Sequence, residues 1–245
     1  MLIATDKDSV GSALLDFFQS KEDTPITVKM DIADADVLPP SYFFRSYDEC
    51  PQLEQLALQQ ARGKVLDIGA GAGSHSLYLQ QQGLDVTAID VSPNSVDVMR
   101  QRGLKKAQLI NFYDLSSGSF DTLLLLMNGI GLVQTLEGFG TFFAHAKKLL
   151  APNGQILLDS SDLIYMFEED DGSYLIDLND KYHGEVVFDL SYKGISGESF
   201  NWLYVSKELL IDAAQEHSFD CEILMDGPHY DYLARLSVSK NKEVQ

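Results

Sequence analysis

Cysteine is nearly absent from this 245-residue chain. Cys50 and Cys221 are its two cysteines, and neither stands at a spacing that would hold a metal. A disulfide framework is therefore excluded, and a reduced, cytoplasmic protein with no metal site is the expectation. Long apolar runs are absent too. The longest, around Leu123 to Met127, has the length of a strand, so no membrane span is expected. Met1 to Ala4 runs straight into Thr5, Asp6, Lys7 and Asp8, too short and too acidic for a secretory leader. Basic residues are few, 18 Lys and Arg against 37 Asp and Glu, for a formal net charge of −19. A phosphate backbone would be repelled over most of such a surface, which disfavours DNA or RNA as partner. A neutral or cationic small molecule, or a basic peptide, suits the field better; the plainer reading is that acidity only keeps the chain soluble.

Apolar residues make up 45% of the chain, enough for one sizeable core. Residues 1–50 read as an N-terminal extension. Val10, Leu14, Phe17 and Phe18 have helical spacing over Ser9 to Ser20, and "TPITVKMDIADADVLPP" is extended and stopped by its double proline. A helix is expected from Pro51 toward Gly63. Strand and helix then alternate: "KVLDIG", "SHSLYLQQQG", "DVTAID", "VSPNSVDVMRQRG", "AQLINF", "FDTLLLLMN", "TLEGFGTFFAHAKKLL" and "GQILLDS". Pro152-Asn153-Gly154 is read as the break before the last of these strands. This alternation calls for a parallel sheet covered on both faces. Residues 181–205 read as a β-hairpin insert around "KGISG". A helix capped by Ser206 and two strands joined at Asp226-Gly227-Pro228 close the chain, and the tail "SKNKEVQ" is expected to fray. Everything falls into a single domain over 1–245, with 51–160 as its ligand-binding half and 206–245 as its closing helix and strands.

The densest signal is "VLDIGAGAGSHS", a buried strand ending in Asp67 and followed by Gly69, Gly71 and Gly73. A glycine turn ahead of a helix lets backbone approach a ligand closely. Dinucleotide enzymes want a third glycine where this chain has Ser74, and an ionised Asp67 would sit badly against a pyrophosphate. Asp67 would sit well against an ammonium group, and Asp90, ending the second strand, can accept two ribose hydroxyls. An amino acid joined to a nucleoside meets these demands together.

"VLDIGAGAG" followed by "VTAIDVS", "FDTLLLL" and "LLAPNGQILL" resembles the class I S-adenosylmethionine-dependent methyltransferases over residues 64–160. The resemblance implies an α/β fold, a doubly wound sheet of order 3-2-1-4-5-7-6 with the last strand antiparallel and helices on both faces. It implies S-adenosylmethionine as cofactor, S-adenosylhomocysteine as product, and methyl transfer to a small-molecule acceptor. Methylation of a basic peptide, or cofactor binding without catalysis, are the alternatives. Carried over residue by residue, Asp67, Gly69, Ala70, Gly71 and Gly73 line the methionine end, Asp90 and Val91 the ribose, Asn111 and Phe112 the adenine.

The acceptor side is read from topology. Asn128 follows the fourth strand and is a candidate catalytic and cofactor-binding residue, or the cap of a tight turn. His229 is the histidine best placed to act as a base, against a plain solvated turn residue. Arg45, Tyr192, Trp202 and Tyr230 are candidates for the acceptor pocket. Arg45 belongs to "YFFR", a segment placed to act as a lid; it reaches an acidic substrate or the cofactor carboxylate, or equally forms a surface ion pair. The hairpin aromatics Phe200, Trp202 and Tyr204 share one strand face, which covers the pocket, packs on the core or pairs with a second subunit in a homodimer. Asp162 either faces the pocket or, as expected, caps a helix; His75 either lies by the methionine end of the cofactor or, as expected, faces solvent from the first turn of its helix.

Overall fold

The computed structural model describes residues 1–169, 171–176 and 181–240. The expected fraying of the tail falls mostly on residues 241–245, outside the described residues. The central sheet is built from β3 (Lys64–Ile68), β4 (Asp85–Asp90), β5 (Ala107–Leu109), β6 (Phe120–Leu125), β7 (Leu150–Ser161), β11 (Phe219–Asp226) and β12 (Asp231–Val238). Its order is β11-β12-β7-β6-β3-β4-β5, with β12 antiparallel to both neighbours and the inner pairs parallel. Numbered along the chain, that is the 3-2-1-4-5-7-6 order the resemblance implies.

Burial on both faces explains the unbroken apolar runs. Leu123, Leu124 and Leu125 of β6 are fully buried. Leu66, Leu123, Leu125 and Ile156 point toward α5 (Phe139–Leu149), whose Phe142, Phe143 and Ala146 share their cluster. Val65, Leu124 and Leu157 point the other way, toward Leu53, Ala57 and Leu58 of α2 (Gln52–Gln60). The helices start where their caps dictate. Ser92 accepts from Ser95 N ahead of α4 (Pro93–Gln101), and Ser206 from Leu209 N ahead of α6 (Lys207–Glu216). One boundary differs from expectation. β7 begins at Leu150, pairs with Phe120, and carries Pro152 and Asn153 as an outward irregularity before Thr122 meets Gln155. The left-handed Asn153, at φ 60°, lets the strand resume instead of breaking it.

A second, antiparallel sheet was not apparent from the sequence. β1 (Ile26–Met30) and β2 (Ala33–Leu38) come from the N-terminal extension. β8 (Glu185–Tyr192), β9 (Ile195–Ser196) and β10 (Phe200–Leu203) come from the insert. The path is β10-β8-β1-β2, with β9 on β8. Extension and insert, more than 150 residues apart, thus form one layer. Helix α1 (Ser9–Ser20) lies between this layer and α4, with Asp8 accepting from Gly11 N and the Ser92 hydroxyl. No helix among the described residues is long and apolar enough to cross a membrane.

One pocket assignment is corrected here. Tyr192 is 2% exposed, clusters with Ala13 and Ile26 under α1, and donates to Asp16 at 3.1 Å; it holds the second sheet on α1 and lines no pocket. Trp202 is half-buried beside Leu163, Val186 and Phe188 and donates from its indole to the Asn128 carbonyl at 3.0 Å. A Cβ at Gly131 would lie 2.0 Å from that indole nitrogen, so the ring seats directly on the Gly131 backbone. Of the three roles considered for the hairpin aromatics, packing on the core domain fits Trp202. Trp202→Ala should lower stability by about 2–3 kcal/mol in thermal melts, short of a fully buried tryptophan because the ring is only partly buried.

Candidate active site

The glycine turn follows the carboxyl end of β3 and lies against the carboxyl end of β4. Gly69, Gly71 and Gly73 have φ of 72°, 55° and 79°, where side chains are disfavoured. The turn is held from the neighbouring strand. Gly69 N and Ala70 N donate to the Ile89 carbonyl at 3.0 and 3.1 Å, and Gly71 N donates to Asp90 at 2.9 Å. The second Asp90 oxygen accepts from Ser92 N at 2.8 Å. Burial drives the Asp90 carboxyl up to about 6, against those backbone donors. Val91 accepts from Ile3 N, so the first residues of the chain run beside Asp90. Asn111 caps a short 3-10 turn through Tyr113 N, and the Phe112 ring is buried in the main core against Phe142 and His145. At Phe112 the ring is buried and the carbonyl accepts from Leu115 N and meets His145, which leaves the backbone N–H to meet a ligand.

Beyond Asp67, the structure gathers a cluster that the sequence did not suggest. Asp67 is buried and accepts from the Ser76 hydroxyl at 2.6 Å, and burial raises its pKa. His75, from α3 (Ser74–Gln81), does not face solvent. Its Nε2 meets Glu54 at 2.7 Å, and its side chain is 13% exposed. Glu54 stands on the core-facing side of α2 and also accepts twice from the Arg45 guanidinium, at 3.0 and 3.1 Å. Arg45 stacks on Tyr42 at 3.5 Å, and its Nε is buried with no partner. Burial alone would lower His75; its contacts with Cys50 and Glu54 and the charge of Asp67 outweigh that and lift it to about 10. Burial opposes ionisation of Glu54, yet His75 and Arg45 hold it below the usual carboxylate range. Cys50, Glu54 and His75 offer ligand atoms within 4.8 Å of one another. A protonated His75 and an Arg45 already seated on Glu54 both oppose a cation there.

Asp159 completes the group. Register places it on the same sheet face as Asp67, two strands across and two residues further toward the carboxyl ends. That is roughly 10 Å across and 7 Å along. It accepts from Asn128 N at 2.9 Å. Burial first, then the charge of Glu54, push it up to about 7 against the Asn128 and Gly129 N–H groups and the charge of His75. Tyr42 and Tyr204 feel its charge, and burial drives the Tyr204 hydroxyl up to about 12.

The sequence candidates divide accordingly. Asn128 lies at this site in a left-handed conformation, φ 56°, but its amide donates to Leu203 O and accepts from the Ser160 hydroxyl. Its side chain fastens β7 to β10 and shapes the turn beneath Asp159. His229 is exposed on the β11–β12 turn, where its N–H donates to Asp231. Tyr230 is 52% exposed on the same turn and stacks on Tyr165 at 5.4 Å. Asp162 caps as expected, through Ile164 N, and also meets His183 at 3.1 Å.

Comparison with known proteins identifies the arrangement. Residues 66–158 match the family described as a methyltransferase domain. A SAM-dependent methyltransferase from Bacteroides fragilis, crystallised with S-adenosyl-L-homocysteine, shares 43% identity with a TM-score of 0.93, over 98% of each chain. A putative methyltransferase of a Geobacillus species is 22% identical over 186 residues, 74% of this chain and 68% of its own. A ubiquinone biosynthesis O-methyltransferase of Pasteurella multocida is 32% identical over 119 residues, 42% of this chain and 49% of its own. This last match spans only about half of that relative's length. With the sheet order, the glycine turn and a near-complete match to a relative holding the demethylated cofactor, the chain belongs to the class I S-adenosylmethionine-dependent methyltransferases.

Proposed function

We propose that this methyltransferase acts on a small-molecule acceptor received beside Asp159, under Tyr42 and Tyr204. The cofactor would be held by Asp67, Gly69, Ala70, Gly71 and Gly73 at its methionine end, by Asp90 and Val91 at the ribose, and by Asn111 with the Phe112 backbone at the adenine. The residues fit that group. Three left-handed glycines form the cradle, and a Cβ on Gly69 would meet nothing within 4 Å. Both Asp90 oxygens keep a lone pair beyond their backbone bond. When bound, S-adenosylmethionine supplies a methyl group on a sulfonium whose leaving group is a neutral thioether.

The protein's part is then to align and to exclude water. Arg45, Glu54 and His75 tie the segment around Tyr42 to α2 and α3, close enough to Asp67 and Asp159 for the charge of His75 to be felt at both. Asn128 and Trp202 fix the β6 turn and the second sheet against each other. His229 stands outside this space and is not assigned a role.

What supports the reading is that Tyr42 of the N-terminal extension, Asp159 of the central sheet and Tyr204 at the end of the second sheet come together. A place shared by three layers suits a compact molecule better than a peptide within a folded protein. The ubiquinone biosynthesis relative, by its name, belongs to small-molecule metabolism, which supports the same class. The test is methyl transfer from labelled cofactor to metabolite fractions and, separately, to basic peptides. Label is expected in the metabolites; label in peptides alone would overturn the reading.

A further inference from the structure

The geometry points to an amine as the acceptor, with Asp159 as the catalytic residue that binds its nitrogen and takes its proton. This rests on the small-molecule reading above and specifies it.

Charge at the site is uneven. Asp67, Glu54 and Asp159 bring three carboxylates, whereas Arg45 and His75 bring two cations, both committed to Glu54. Among the described residues no Lys, Arg or His pairs with Asp159. Its donors are backbone N–H groups of Asn128 and Gly129, which orient the carboxylate without neutralising it. An acid left half-buried and without a cation is a strong attractor for a cationic guest. The other groups facing it are Glu54 from α2, His75 from α3, and Tyr42 and Tyr204 from the N-terminal turn and the end of the second sheet. None of these is free to take a proton: Glu54 is engaged by two cations, His75 is already protonated, and burial raises both tyrosines, Tyr204 to about 12.

The chemistry needs such a group. An amine reaches the site as an ammonium ion, whose nitrogen has no lone pair to give. Transfer of one N–H proton to the Asp159 carboxylate frees that pair and leaves a neutral carboxylic acid. The freed pair then forms the N–CH3 bond as the C–S bond breaks, and the C–S electrons remain on sulfur as the neutral thioether. The positive charge moves from sulfur to nitrogen, and atoms and charge balance. A carboxyl lifted to about 7 is matched to this duty near neutral pH.

Three nitrogen-for-sulfur cofactor analogues provide a test that needs no knowledge of the acceptor. They carry a 3-aminopropyl, 3-hydroxypropyl or propyl arm in place of the transferable methyl, and calorimetry compares their affinities. In the wild-type protein near pH 8 the amino arm should bind at least about tenfold tighter than the hydroxyl arm, as expected for a charge-assisted contact. Asp159→Asn should reduce that preference to less than about twofold while leaving S-adenosylhomocysteine affinity unchanged. In the wild type the preference should also shrink as pH falls through about 7, because Asp159 loses its charge. This pH series decides the matter even if the variant fails to fold. Equal binding of amino and hydroxyl arms, or a preference that survives both Asp159→Asn and acidification, overturns the amine inference but leaves the small-molecule reading standing. Exclusion of all three arms, with S-adenosylhomocysteine still bound, overturns both.

Discussion

Glu54→Ala is expected to lower the melting temperature by about 6–20 °C. Removing one partner of a buried ion pair typically costs about 3–5 kcal/mol, and each kcal/mol moves the midpoint of a domain of this size by about 2–4 °C. The loss is large because Glu54 holds two cations rather than one. It is 3% exposed, and Arg45 and His75 converge on it from different segments. Without it, Arg45 and a protonated His75 face each other in a nearly dry space. The cluster also carries a pH signature. The folded-state pKa of His75, near 10, is raised above its ordinary 6.5. Its contribution is therefore full below about 6.5 and is lost as pH rises through 10. Wild-type stability should fall between pH 7 and 10 more steeply than that of His75→Gln. Parallel slopes would show that the ion pair does not stabilise the fold.

Asp90→Ala should weaken S-adenosylhomocysteine binding at least tenfold while the sheet remains intact. Two hydrogen bonds to a charged acceptor, at about 1.5–3 kcal/mol each, are lost on the proposed ribose side, and 1.4 kcal/mol already corresponds to tenfold. The structure adds a second effect. Asp90 also receives Gly71 N and Ser92 N, so the variant leaves two backbone donors unpaired and should lose about 1–3 kcal/mol of stability. Because Asp90 is pushed up to about 6, wild-type affinity should decline as pH falls below that value and the carboxylate gains a proton. Calorimetry over pH 5 to 8 with wild type and variant separates the two effects. Affinity that is independent of pH in the wild type and unchanged in Asp90→Ala would place the ribose elsewhere.

The central sheet was legible because local pattern and global fold agree there. Apolar strands end in Asp67 and Asp90, glycines stand where φ is positive, and Ser92 and Ser206 cap as their positions dictate. What stayed hidden depends on contacts distant in sequence. The extension and the insert each looked self-contained, yet β1 pairs with β8, and nothing local announces that register. Tyr192 read as a pocket aromatic because alternation gives a face but not what covers it.

The site had signals that could have been followed further. Glu54 sits in the same helical stripe as Ala57 and Leu58, where a carboxylate needs a buried partner. Asp159 ends the inward series Gln155, Leu157, Asp159, much as Asp67 ends Val65, Asp67. Reading "DSSD" by its last acid led to Asp162, a cap, and past the residue that faces Asp67 across the site.

The most direct measurement is a crystal structure of the protein with S-adenosylhomocysteine. The expected result has both ribose hydroxyls on Asp90, the amino-acid end against Asp67 and the glycine turn, and the sulfur facing the space bounded by Asp159, Tyr42 and Tyr204. A ligand whose sulfur points away from Asp159, with another surface lining the path from it to solvent, would contradict the assignment of that space as the acceptor site.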